Sequence, residues 1–154
     1  MRYGRRPEVP EEIPGEFLKP SAAFVCLKKH GSLRGCIGTT SPRQRSVAAE
    51  IIVNAVSACS KDPRFPAVAP EELDSIEYSV DILSPPEPID GLHDLDPAEY
   101  GVIVKKGNFC GLLLPDLEGV DTVEKQLAIA KRKAGIDPVD TDVEIQRFTV
   151  KRYT

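Results

Sequence analysis

The residues best suited to chemistry lie at positions 33–39, which read Leu-Arg-Gly-Cys-Ile-Gly-Thr. Glycine is costly inside a strand and usually marks a bulge or a close approach by a ligand or another backbone. Because side chains alternate along a strand, Arg34 and Cys36 are expected on one face, with Gly35 and Gly38 leaving room beside them. A guanidinium close to a thiol favours the thiolate, which is the nucleophilic form. The segment therefore predicts a site in which Cys36 is a candidate nucleophile and Arg34 stabilises an anion.

Cys36 and Arg34 also have simpler interpretations. A cysteine in an apolar strand is most often a small hydrophobic residue, and an arginine beside it can pair with a carboxylate elsewhere. A cysteine hydrolase would need a base, and the chain has only two histidines. His30 falls in a predicted turn and His93 in a proline-rich connector, and neither belongs to a local catalytic signature. Whether the chain is an enzyme stays open at this stage.

A second candidate is the charged loop Asp62-Pro63-Arg64-Phe65. An arginine between two prolines has restricted backbone freedom and could present its planar donors to a carboxylate or phosphate. Asp62 could instead pair with Arg64 or Arg34 and tie the loop to the sheet. Both interpretations stay open. A ligand- or partner-binding site is therefore predicted from residues in the two segments: Leu33, Gly35, Gly38, Thr39, Asp62 and Arg64.

The overall charge argues against a nucleic-acid-binding protein. The chain has 20 basic and 24 acidic residues, which gives a net charge of -4. A protein that grips nucleic acid with its whole surface carries the opposite sign. Only a local basic surface remains as an alternative, formed by Arg34, Arg43, Arg45 and Arg64.

The four cysteines show no metal-binding spacing. Cys26, Cys36, Cys59 and Cys110 include no C-x-x-C pair, so neither a metal nor a cofactor is predicted. No signal peptide or membrane span is apparent, and we expect a cytoplasmic protein with reduced cysteines. Cys59 and Cys110 are interpreted as packing residues. If Lys28 pairs with Leu33 in the first hairpin, Cys26 lies opposite Gly35 and points away from Cys36, which disfavours a redox pair.

The periodicity predicts a proline-rich arm at residues 1–21 and a single α+β domain at residues 22–154. Hairpins are expected around residues 22–38 and 101–114, helices over 46–60 and 122–134, and an alternating strand over 76–82. The apolar positions of a last strand, 144–152, change parity, which indicates a bulge or a change of face. Hairpins mixed with helices favour a mainly antiparallel sheet with flanking helices.

Several blocks together resemble the AMMECR domain family, and in particular its prokaryotic members called AmmeMemoRadiSam system protein A. The blocks are LRGCIGT, DPRF, IEYSVDILSPPEP and YGVIVKKGNFCGLLLPDLEGVDTVEKQ, in that order, and the resemblance runs from about residue 22 to 153. The family's signature maps onto residues 33–39, where its pocket is suspected.

The resemblance implies an α+β fold and association with a Memo-type protein and a radical SAM enzyme, but no assigned reaction. It leads to the hypothesis of an accessory component that holds a small molecule, a peptide or a partner segment. A cysteine-dependent enzyme and a nucleic-acid-binding module are the alternatives. Relatives usually have a further helix before the proline-rich arm, and its absence would expose core surface and favour a homodimer.

Overall fold

The computed structural model describes residues 7–154, so the first six residues of the predicted arm lie outside it. The strands are β1 (Ala23–Lys29), β2 (Ser32–Gly38), β3 (Ile76–Leu83), β4 (Glu87–Pro88), β5 (Gly101–Lys106), β6 (Phe109–Leu113), β7 (Glu144–Phe148) and β8 (Val150–Tyr153). The α-helices are α1 (Val47–Ser60) and α2 (Val123–Ala134), and 3-10 helices cover Gly15–Leu18, Pro70–Ser75 and Leu92–Asp94. The predicted α+β class is confirmed.

The chain forms two compact units. The first runs to Ile82 and takes in Lys151–Thr154, and the second is Leu83–Val150. Their four-stranded sheets have the orders β2-β1-β3-β8 and β4-β7-β5-β6. The boundary of a domain at residue 22 stays a prediction. No helix within residues 7–154 is long and apolar enough to cross a membrane.

In the first unit, the hairpin of β1 and β2 packs against α1. His30 and Gly31 both have positive φ, 50° and 76°, as a two-residue type I′ turn requires. Helix α1 begins after Ser46, whose side chain accepts a hydrogen bond from the Ala49 N–H. The helix and sheet enclose a core of Val25, Leu27, Ala58 and Ile76.

In the second unit, α2 packs on the hairpin of β5 and β6. Thr122 caps the helix at its start and Gly135, with a left-handed φ of 76°, ends it, as the sequence pattern predicts. The core includes Val102, Val104 and Leu127.

The last strand predicted from the sequence is two strands in two sheets. β7 ends at Phe148 and β8 begins at Val150, so the change of parity marks the residue at which the chain leaves one sheet for the other. The expectation of one strand with a bulge or a change of face was therefore wrong, because the chain changes sheets at Thr149.

Candidate functional site

A bulge in β2 sets the register of the first hairpin. Lys28 pairs with Leu33, but the next pair is Leu27 with Gly35 and not Leu27 with Arg34. Arg34 is therefore an extra residue without a partner in β1, and every pair beyond it moves by one position. Cys26 consequently lies opposite Cys36.

The two cysteines are joined by a disulfide, with their Cα atoms 4.1 Å apart. The expectation that Cys26 faces Gly35 was wrong because it assumed an uninterrupted ladder, and the expectation of four reduced cysteines was wrong for this pair. In the disulfide, Cys36 has no thiolate to act as a nucleophile.

The guanidinium of Arg34 is bound by groups from one neighbouring segment. Its Nε and Nη2 donate to the two carboxylate oxygens of Glu72, at 3.0 and 2.8 Å, and its Nη1 and Nη2 donate to the carbonyls of Pro66 and Ala67. The ion pair with Arg34, the Ala69 N–H and Lys29 together lower the pKa of the Glu72 carboxyl well below its usual value. Arg34 thus anchors the bulge to residues 66–72.

Asp62 and Arg64 hold the outer edge of β2. The Asp62 carboxylate is buried, with only 2% of the side chain exposed, and accepts a 2.9 Å hydrogen bond from the Cys36 N–H. Arg64 donates to the same carboxylate and to the Cys36 carbonyl at 3.1 Å. Hydrogen bonding to Arg64 is the main cause that lowers the pKa of Asp62, and the Cys36 N–H adds to it. The two side chains thus form hydrogen bonds with backbone groups of Cys36. In an edge strand, such groups are otherwise free to pair with another strand.

The two glycines of the segment face packed atoms instead of open space. A Cβ on Gly35 would overlap the backbone carbonyl of Ala58 in α1, and a Cβ on Gly38 would overlap the ring of Phe24, its partner in β1. The sequence pattern favours access for a ligand at these glycines. The structure shows that they admit α1 and Phe24.

The other two predicted binding residues are Thr39, whose hydroxyl is bound within the chain, and Leu33, which is exposed. Thr39 donates through Oγ1 to the buried carboxylate of Glu50, which also accepts the N–H groups of Arg43 and Gln44. Leu33, by contrast, is 42% exposed. The structure therefore brings the predicted residues together around β2, but their charged and polar side chains are bound by groups of this chain.

Sequence reasoning missed two carboxylates of this region, Glu72 and Glu50. Glu72 follows Glu71 in a 3-10 helix, and nothing in the pattern distinguishes the two. Glu50 sits in the first turn of α1, on the face that also carries buried Val47 and Asn54, so a charge on that buried face was the available signal.

The remaining cysteines and histidines lie apart from this arrangement. Cys59 is half-buried against the core, as predicted, whereas Cys110 is exposed, so its interpretation as a packing residue was wrong. His30 is exposed in its turn and His93 is exposed beside Asp94. Within residues 7–154, no group of three or more His, Cys, Asp or Glu side chains is arranged to hold a metal.

The AMMECR1 family model matches residues 1–153. The chain belongs to the AMMECR1 family. A protein of Thermotoga maritima is 60% identical over 155 residues, covering 99% of this chain and 89% of that protein. The fold is also that of the crystal structure of protein PH0010 from Pyrococcus horikoshii, with a TM-score of 0.90 and 34% identity, covering 98% of this chain and 81% of that one.

Another family relative is much longer than this chain. A protein of Clostridium acetobutylicum is 50% identical over 148 residues, which cover 95% of this chain but 31% of that protein. More than two thirds of that relative therefore lie outside the matching segment.

Proposed function

We propose that this AMMECR1-family protein is a cytoplasmic accessory component that binds a partner protein, a Memo-type or a radical SAM protein, through one preformed surface. We call it the β2-edge surface: it comprises β2, loop 61–69 and the 3-10 helix Pro70–Ser75. Its role is to hold a segment of the partner, and the partner supplies any chemistry.

The observation that carries the proposal is that the charged groups of this surface are held by intrachain ion pairs. Arg34 is bound to Glu72, and Arg64 to Asp62, so loop and strand are fixed before any partner arrives. A partner that binds an already ordered loop loses no binding free energy to ordering it, so the affinity is higher than for a flexible loop. Leu33 and Leu73, 42% and 52% exposed, provide apolar contact beside the ion pairs.

The geometry favours binding over nucleophilic catalysis by Cys36. Cys36 is in a disulfide, and the guanidinium of Arg34 donates to Glu72 and to two carbonyls. The Clostridium relative supports an accessory role, because there the equivalent segment is one part of a larger polypeptide.

The test is a binding measurement with purified Memo-type and radical SAM proteins from the same organism, each immobilised in turn. Leu33→Asp and Leu73→Asp are expected to weaken binding by roughly tenfold or more, as for apolar residues central to an interface. Leu18→Asp is the matched control, since Leu18 is 56% exposed and lies in the 3-10 helix Gly15–Leu18, outside the surface.

Circular dichroism must show that all three variants fold. If both surface variants bind like the control, or if the wild-type chain binds neither protein, the proposal is wrong.

A further inference from the structure

Cys26 and Cys36 have different surroundings in the sheet. β2 is the edge strand of its sheet, whereas β1 lies between β2 and β3. Cys26 is therefore flanked by Cys36 on one side and by Ser79 on the other. Both cysteines are half-buried, but only Cys36 lies on the strand that ends the sheet. Because β2 has no neighbouring strand on its outer side, we expect an external thiol to reach Cys36 more readily than Cys26.

Contacts other than the disulfide also hold the backbone of Cys36. Its N–H is bound by Asp62 and its carbonyl by Arg64, and the Arg34 anchor fixes the bulge two residues earlier. The two cysteines are ten residues apart in one hairpin, so their bond closes a short loop and constrains the unfolded chain less than a bond across a long loop would. We therefore expect the strand to keep its register when the bond opens.

From these two observations we propose that Cys26 and Cys36 are a reversible thiol–disulfide exchange site. It takes thiol reductants, with Cys36 as the sulfur that exchanges with the external thiol. This inference goes beyond the proposed binding function and does not rest on it. Solvent access favours exchange with external thiols, and neither cysteine is fully buried.

The exchange balances in two steps. An external thiolate attacks the Sγ of Cys36, the Cys26–Cys36 bond breaks, and the Cys26 sulfur leaves as a thiolate that takes a proton. A second external thiolate attacks the external sulfur of the mixed disulfide and releases Cys36 as a thiol after protonation. Two thiols are oxidised to one external disulfide, and the protein gains two electrons and two protons.

Arg34 acts here as a positioning residue. Without the bulge, the pairing of Lys28 with Leu33 would place Gly35 opposite Cys26, and the two sulfurs would lie on opposite faces. The two-point ion pair between Arg34 and Glu72 holds the extra residue that brings the cysteines together.

The test uses the folded full chain, equilibrated in buffers of graded reduced to oxidised glutathione, trapped by alkylation and analysed by peptide mass spectrometry. Cys26 and Cys36 are expected to convert together, as a two-electron couple, within the glutathione series. Cys59 and Cys110 are internal controls that form no bond with either. A pair that opens only in denaturant, or two thiols that never join in the folded chain, would overturn the proposal.

Single variants test which sulfur exchanges. In the Cys26→Ser variant, Cys36 is expected to form a mixed disulfide with glutathione. The rate of this reaction should exceed the rate at which Cys26 reacts in the Cys36→Ser variant. The opposite order of rates refutes the assignment of Cys36 as the exchanging sulfur.

A third variant tests the positioning role. Arg34→Lys keeps the charge but loses the two-point geometry, so the equilibrium is expected to move toward the dithiol. Arg43→Lys is the matched control, since the Arg43 side chain is exposed and lies outside the bulge. An unchanged midpoint in Arg34→Lys contradicts the positioning role, while the glutathione series on the wild-type chain still decides the exchange itself.

Discussion

Replacing Gly35 with alanine separates two explanations of the LRGCIGT segment. In the structure, Gly35 lies under α1, and an added Cβ would overlap the backbone carbonyl of Ala58. Backbone atoms cannot rotate away as the end of a side chain can, so α1 as a whole would have to shift. If the glycine instead served to admit a ligand, the same methyl group would block binding and leave stability unchanged.

The expected loss of folding stability in Gly35→Ala follows from the overlap of the added Cβ with the Ala58 carbonyl. Forcing a methyl group into a packed core costs typically about 1–3 kcal/mol. Unfolding entropy of about 2.1 cal/mol/K per residue gives roughly 0.32 kcal/mol/K for a chain of this length, so about 2 kcal/mol lowers Tm by about 6 °C. The change should also move the denaturant midpoint without changing the m-value, because the folded chain still exposes the same surface on unfolding.

Thermal and urea unfolding, followed by circular dichroism, measure both quantities. Gly15→Ala is the control, since a Cβ there meets no atom within 4 Å, and it should stay within about 0.5 kcal/mol of wild type. A Gly35→Ala protein as stable as the control would refute the packing of α1 on β2. Wild-type stability with lost partner binding would restore the ligand-access interpretation.

Three further changes test the surrounding contacts by urea unfolding. Glu50→Gln puts an amide where the carboxylate accepts three donors, Thr39 among them, and should cost about 1–3 kcal/mol. Because the pKa of Asp62 is lowered by folding, its carboxylate stabilises the fold above the unfolded pKa of about 3.9 and loses this effect as pH falls below it. The stability difference between wild type and Asp62→Asn should therefore shrink on acidification below about pH 4; a constant difference would contradict this. Gly111→Ala should destabilise the chain as Gly35→Ala does, because its Cβ would overlap the Ala130 carbonyl.

Local signals in the sequence were enough to predict the helices and hairpins. Ser46 and Thr122 cap the helices as side-chain acceptors, and Gly135 ends α2 with a positive φ that glycine adopts without strain. These are interactions between residues a few positions apart, so a single sequence contains both partners. The register of β1 and β2 is different in kind, because the bulge at Arg34 is held by Glu72, 38 residues away.

The same limit explains the candidate site. Arg34, Asp62 and Arg64 stood out as charged residues in unusual settings, and the pairing of Asp62 with Arg64 was one of the two interpretations kept open. Asp62 and Arg64 both bind the backbone of Cys36, and Arg34 binds Glu72. These contacts depend on the way residues 61–72 follow the edge of β2, which periodicity does not encode. The proximity of Cys26 to Cys36 was missed for the same reason, since one extra residue reverses which face each cysteine occupies.

The hairpin of each unit packs against a helix in the same way, and comparing the two shows which residues stand at the position of the cysteine pair. In each hairpin a glycine lies under a helix carbonyl, Gly35 under Ala58 and Gly111 under Ala130. Beyond Gly35 the next pair is Cys26 with Cys36, and beyond Gly111 it is Ile103 with Leu112, both buried aliphatic residues.

A hairpin under a helix is thus built in this chain without cysteines at that pair. The bulge, the Arg34 anchor and the Asp62–Arg64 contact with the Cys36 backbone all belong to the first unit, where they surround the pair that can be oxidised. At the corresponding pair of the second hairpin, the chain has two buried aliphatic side chains, whereas Cys26 and Cys36 are half-buried. We therefore expect Cys26 and Cys36 to serve through the chemistry of their sulfur atoms and not through packing, and the glutathione titration tests this expectation directly.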